Sequence, residues 1–142
     1  MEIKEELRGS ITSENSYEAS IMNFDILTEK MNDNCIPYRI EQNAMMWVNE
    51  DGLLGEIECI YPKLLDEEVA LAKDQYTLEE SGFPLISVEG SLEVSEVNVF
   101  QGEEYFILYF SELQNYNRII ISDSLTFYVH NATLIAIKAS VY

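Results

Sequence analysis

Basic residues are scarce in this sequence. Eight Lys and Arg face twenty-six Asp and Glu, a net charge of −18. Residues 1–74 carry seventeen acids and six bases, net −11, and residues 75–142 carry nine and two, net −7, so the excess is no acidic tail. A chain so charged repels phosphates. Direct nucleic-acid binding and adsorption to an anionic membrane are therefore excluded, while cations and basic proteins are attracted. Histidine is nearly absent, with His130 the single one. The two cysteines, Cys35 and Cys59, are far apart and outside any metal-ligand spacing. That excludes a disulfide framework or thiolate metal site and predicts two reduced thiols. No apolar run reaches the length of a membrane span. Met1–Ser10 has no apolar core and does not read as a secretory signal, which points to a cytoplasmic protein. The six glycines are scattered. None forms a phosphate-cradling loop between a strand and a helix, so no nucleotide cofactor is expected.

What is present is enough apolar residue for a core, 47% of 142 positions, and a single domain over residues 1–142 is expected. The chain is organised around its last third. Tyr105–Phe110, then Arg118–Ile121, Leu125–Val129 and Leu134–Ile137 are apolar runs of strand length, rich in aromatic and β-branched residues. Tyr105–Phe110 is apolar at every position, which suits a strand covered on both faces inside a sheet. Earlier, Tyr17, Ile21, Phe24, Leu27 and Met31 recur at helical spacing. With Asn15 and Glu18 as a capping pair they predict a helix over 16–32. Leu65, Val69, Ala72 and Tyr76 predict a second helix over 64–75, and Thr77-Leu78-Glu79-Glu80 reads as another capping box. Between them, Tyr38–Gln42 alternates like a strand. Met45–Val48 and Gly55–Tyr61 flank Asn49-Glu50-Asp51-Gly52 as a hairpin, with Glu56 and Glu58 on one face and Ile57, Cys59 and Tyr61 on the other. Leu85–Glu89 reads as a strand, and a phase slip in Leu92–Phe100 as a bulge. The expected class is α+β, a mostly antiparallel sheet of six to eight strands with two helices on one face.

Chemistry-bearing patterns are thin. Asp123, Ser124 and His130 contain the members of a serine relay without a nucleophile elbow or glycine frame, so no catalytic residue is assigned. Asn49-Glu50-Asp51-Gly52 lacks the acid ladder of a calcium loop, and no metal is assigned. Asn131-Ala132-Thr133 matches a glycosylation sequon but reads as a plain turn. The acidic clusters remain: Glu56 and Glu58, Asp66-Glu67-Glu68, Glu79-Glu80, and Glu89, Glu93 and Glu96. Joined into one face they would steer a basic protein partner, with Trp47, Tyr61 and Tyr38 as candidate anchors. The partner-binding set is therefore Glu56, Glu58, Asp66, Glu67, Glu68, Trp47 and Tyr61.

Size, acidity, a helix followed by a hairpin, and the stretch Met46-Trp47-Val48-Asn49-Glu50-Asp51-Gly52 together resemble the immunity proteins of bacterial toxin–immunity systems. The resemblance implies stoichiometric inhibition of a basic toxin, commonly a nuclease, and no enzymatic activity. Three other classes predict different surfaces. An enzyme needs a cleft around a group such as His130. An adaptor or structural subunit needs a large exposed apolar patch. A nucleic-acid mimic needs regular rows of carboxylates.

Overall fold

The computed structural model describes residues 1–141. Among them the regular structure is fourteen strands and one turn of 3-10 helix, Ala19–Ile21. In chain order the strands are β1 (Glu2–Arg8), β2 (Ser13–Glu18), β3 (Asn23–Thr28), β4 (Ile36–Glu41), β5 (Ala44–Val48), β6 (Leu54–Ile60), β7 (Lys63–Leu64), β8 (Ala72–Ser81), β9 (Phe83–Ser87), β10 (Asn98–Gln101), β11 (Tyr105–Tyr109), β12 (Asn115–Ser122), β13 (Leu125–His130) and β14 (Thr133–Ser140).

They form two sheets. The smaller has five strands in the order β2-β3-β6-β5-β4, all antiparallel. The larger has nine, ordered β7-β10-β11-β14-β13-β12-β8, with β1 and β9 paired to one another and β1 also touching the start of β14. Two of its pairings, β7 with β10 and β8 with β12, are parallel. One continuous core fills the space between the sheets. Phe24, Ile26, Met46 and Ile57 come from the smaller sheet, and Phe106, Leu108, Phe127 and Ile137 from the larger. The rings of Phe24 and Phe106 meet edge to face, 5.3 Å between centroids. Polar side chains link the sheets at one margin: Asn15 Nδ2 donates to Ser140 O at 2.9 Å and to Ser124 Oγ at 2.8 Å.

The architecture is all-β, which corrects the α+β expectation and both helices. Over 16–32 the chain makes the hairpin β2–β3 around the single 3-10 turn, closed by Met22 at φ 46°. The competing pattern was period two. Phe24, Ile26 and Thr28 are buried, while Asn23, Asp25 and Leu27 point outward. Asn15 does not cap a helix; its amide bridges the sheets. Over 64–75 the chain gives the short β7, an irregular strap over 65–71, and the start of β8. Leu65, Val69 and Leu71 do pack inward, against Ile107, Tyr109 and Ala136 on the outer side of the larger sheet. Extended chain reached that surface without helical backbone. Thr77 Oγ1 likewise caps no helix and donates to Asp74 O at 2.7 Å within β8. Residues 88–97 are mostly irregular, and the strand expected from Leu92 begins only at Asn98.

The β5–β6 hairpin and β11 follow the sequence expectation. Asn49 Oδ1 accepts from the amides of Asp51 and Leu53, both at 2.9 Å, and Gly52 takes φ +90°. β11 lies between β10 and β14 and is buried on both sides, with Phe106 and Leu108 in the main core and Ile107 and Tyr109 under the strap.

Candidate protein-docking face

The outer side of the five-stranded sheet is open. Strand register places its side chains in rows across the strands. One row runs Glu14, Leu27, Glu56, Trp47 and Pro37, and the next runs Ser16, Asp25, Glu58, Met45 and Arg39. Glu56 thus stands between Leu27 and Trp47, and Glu58 between Asp25 and Met45. Leu27 and Ile60 are exposed, while Trp47, Met45 and the three central carboxylates are half-buried by one another. The face combines a small apolar centre with carboxylates, and Glu14 and Glu18 lie along the outermost strand.

Asp25, Glu56 and Glu58 can bring one oxygen each to within 4.8 Å of one another. Like charges this close are unfavourable, and partial burial worsens the repulsion. The Asp25 carboxyl is pushed up to about 8, first by burial, then by its hydrogen bond to Glu56 and the charges of Glu56 and Glu58. Two carboxyls can hydrogen-bond only by holding a proton between them, so at neutral pH the trio retains one. Asp25 Oδ1 is enclosed and has no donor among the described residues. The arrangement is an acceptor-rich site that a cation would relieve.

The proposed binding residues divide between two sides of the molecule. Glu56, Glu58 and Trp47 share the open face. Tyr61 follows β6 at its end, 58% exposed, with φ 51°. Tyr38 points the other way and packs against the core. Asp66, Glu67 and Glu68 lie on the strap over the larger sheet, across the full thickness of the sandwich from Glu56. There Glu68 accepts a hydrogen bond from the Tyr105 hydroxyl, which raises the Tyr105 pKa. Lys138 Nζ sits 4.4 Å from the centroid of the Tyr105 ring. Glu80 is paired to Arg118 Nε at 2.6 Å in the larger sheet, and Glu96 to Lys63 at 3.3 Å. The acidic clusters therefore do not merge into a single face. Asp25 was missed in the sequence because a helix was read through it. Its signal was the alternation of Asn23, Asp25 and Leu27 with three core residues.

The serine relay has no geometry. Ser124 and His130 stand at opposite ends of β13, about 20 Å of extended chain. Ser124 Oγ bonds Ser13 Oγ at 2.8 Å, and His130 Nδ1 faces Asp74 at 3.7 Å. Both cysteines are free thiols, and burial pushes that of Cys59 up to about 12. No helix among the described residues is long and apolar enough to cross a membrane. In comparisons with known proteins, no family model matches the chain and no curated protein matches it.

Proposed function

We propose that this chain is a stoichiometric inhibitor of the immunity-protein kind, acting in a bacterial cytoplasm by docking a basic toxin domain on its open five-stranded face. One observation carries the reading: Asp25, Glu56 and Glu58 crowd together beside the half-buried Trp47 on a sheet side that the chain leaves open, an arrangement that raises the Asp25 pKa and favours its keeping a proton. A lysine or arginine of the partner would replace that proton and remove the repulsion, so docking gains more here than at a solvated carboxylate. Trp47, with Met45 and Leu27 around it, supplies the apolar anchor of such an interface. Lysines and arginines occupied in this way are lost to phosphate contacts, which is how the toxin would be blocked. The strap carboxylates, on the far side, add only long-range attraction, screened over about 8 Å at physiological salt. The fold retains the acidity, the size and the Asn49–Gly52 turn of the resemblance, but not its helix.

The test measures association with a basic toxin domain that the chain binds. The double variant Glu56→Lys/Glu58→Lys is expected to slow association at least tenfold at low salt, with a smaller effect at physiological salt. Asp66→Lys/Glu67→Lys is expected to change it much less. Equal effects from the two pairs, or none from the first, would remove the open face as the docking surface.

A further inference from the structure

The smaller sheet ends on one side at an edge that the chain leaves bare. β2 closes the order β2-β3-β6-β5-β4 and pairs with β3 alone. Its register runs through six consecutive pairs, from Ser13↔Thr28 to Glu18↔Asn23, without a bulge. Its sequence, Ser-Glu-Asn-Ser-Tyr-Glu, holds no proline and no basic residue. Natural sheets seldom leave such an edge, because its unpaired N–H and C=O groups invite another strand. The other edges here are blunted. β4 contains Pro37 and gives its Ile40 O to Val94 N. β7 has two residues. β8 breaks its register with β12 between Lys73 and Leu78. β1 slips register between Ile3 and Leu7, and β9 gives Ile86 N to Gly52 O.

A single bond fixes which backbone groups of β2 point outward. Glu29 N donates to Thr12 O at 3.1 Å, so Thr12 turns its polar backbone towards β3. Directions alternate along an antiparallel strand, so Glu14, Ser16 and Glu18 bond inward to β3, while Ser13, Asn15 and Tyr17 face out. Ser13 O takes the Ser124 hydroxyl at 3.5 Å. The backbone N–H and C=O groups of Asn15 and Tyr17 have no partner among the described residues. Their side chains hold the strand in place. Asn15 Nδ2 bonds Ser124 Oγ and Ser140 O, and the Tyr17 ring stacks on Phe24 with 4.3 Å between centroids. Glu14, Ser16 and Glu18 are exposed, and neither glutamate has a basic partner among the described residues.

We infer that β2 receives an extended basic segment of another protein as a sixth, antiparallel strand of the smaller sheet, with lysine or arginine opposite Glu14 and Glu18. The glutamates select the occupant. A second copy of this chain, pairing Asn15 with Tyr17 about a two-fold axis, would set Glu14 directly opposite Glu18 twice, and like charges so placed oppose pairing. A basic strand in the same register puts opposite charges there, at the non-hydrogen-bonded positions where side chains lie closest. Its backbone meets the free donors and acceptors of Asn15 and Tyr17, which is the usual source of affinity in strand addition. The inference goes beyond the docking around Trp47, which lies three strands away on β5, and does not depend on it.

The experiment titrates acetyl-Thr-Lys-Val-Thr-Val-Lys-Thr-amide into the full chain, following backbone amides by NMR and hydrogen exchange. Saturable binding of one equivalent is expected, with the Asn15 and Tyr17 amides shifting and gaining protection. N-methylation of both valines removes the donors to Asn15 O and Tyr17 O and should abolish binding. N-methylation of both lysines, whose N–H groups point away from β2, should preserve it. Glutamate in place of both peptide lysines should weaken binding about tenfold, as should Glu14→Lys/Glu18→Lys in the protein with the original peptide. Glu56→Lys/Glu58→Lys changes the net charge equally from two strands away and should cost far less. Equal binding of the glutamate peptide, indifference to the position of methylation, equal losses from the two protein pairs, protection at another edge, no saturation, or a dimer of the chain through β2 without peptide would each overturn the assignment.

Discussion

Replacing Asp25 by asparagine removes the proton that the open face holds at neutral pH and keeps a donor towards Glu56. Asp25 is half protonated at about 8 in the folded chain and at 3.8 as an ordinary carboxyl. Between those values the folded state binds a proton that the unfolded state has lost. Stability from this group is therefore complete below about pH 4 and falls as pH rises through about 8. At about 1.4 kcal/mol for each pH unit, the ceiling is about 6 kcal/mol. The carboxyl is half open to water, whose screening lowers the expected loss to about 2–3 kcal/mol. Urea unfolding of both proteins at pH 5, 7 and 9, followed by the fluorescence of the single tryptophan, Trp47, measures it directly, because Trp47 stands across from Glu56. Asp25→Asn should match the parent within about 1 kcal/mol at pH 5 and exceed it by about 2–3 kcal/mol at pH 9. Parallel pH profiles for the two proteins would refute the crowding argument and, with it, the account of why a cation is welcome there.

Two other expectations concern the scaffold. Cys59 is fully buried with its thiol pushed up to about 12, whereas Cys35 is only half-buried, so a thiol reagent at pH 8 should label Cys35 alone in the folded protein and both in urea; rapid labelling of Cys59 in the native state would contradict the burial. Gly52→Ala puts a methyl 2.9 Å from Ile86 O at φ +90°, and its urea midpoint should fall by an amount equal to about 1–3 kcal/mol; an unchanged midpoint would show that the turn yields freely.

The parts legible in the sequence were those where one periodicity stood alone. Glu56 and Glu58 alternate with Ile57 and Cys59, and a turn rich in Asn, Asp and Gly precedes them, so the hairpin and the faces of these four residues followed. β11, apolar throughout, could only be an inner strand. The helix over 16–32 failed because two periods overlap there. Tyr17, Phe24 and Leu27 fit 3.6, yet Phe24 faces the core and Leu27 faces solvent on a strand. The cost of that error was Asp25, the residue that gives the open face its distinctive electrostatics. The strap shows a different limit. Its apolar residues do meet the sheet, but hydrogen bonds from distant residues such as Tyr109 and Gln114 hold it there, and local spacing carries no trace of them. Nor could spacing reveal that Glu58 and Glu68, ten positions apart, look out from opposite sides.

The pairing of β1 has a consequence for how the molecule comes together. Ile3 aligns with Ile86, Ile3 N donates to Ala132 O, and Met1 O accepts from Leu134 N. During synthesis β1 has no strand to settle against until β9 has left the ribosome, and its links to Ala132 and Leu134 close later still. The five-stranded sheet, built from residues 13–60, can zip up by hairpins long before. Its core side, with Phe24, Ile26 and Met46, then waits uncovered for Phe106 and Leu108. Such a chain is expected to mature late, on the millisecond-to-second scale of folds dominated by distant pairings, and to be most prone to sticking to its neighbours in that interval.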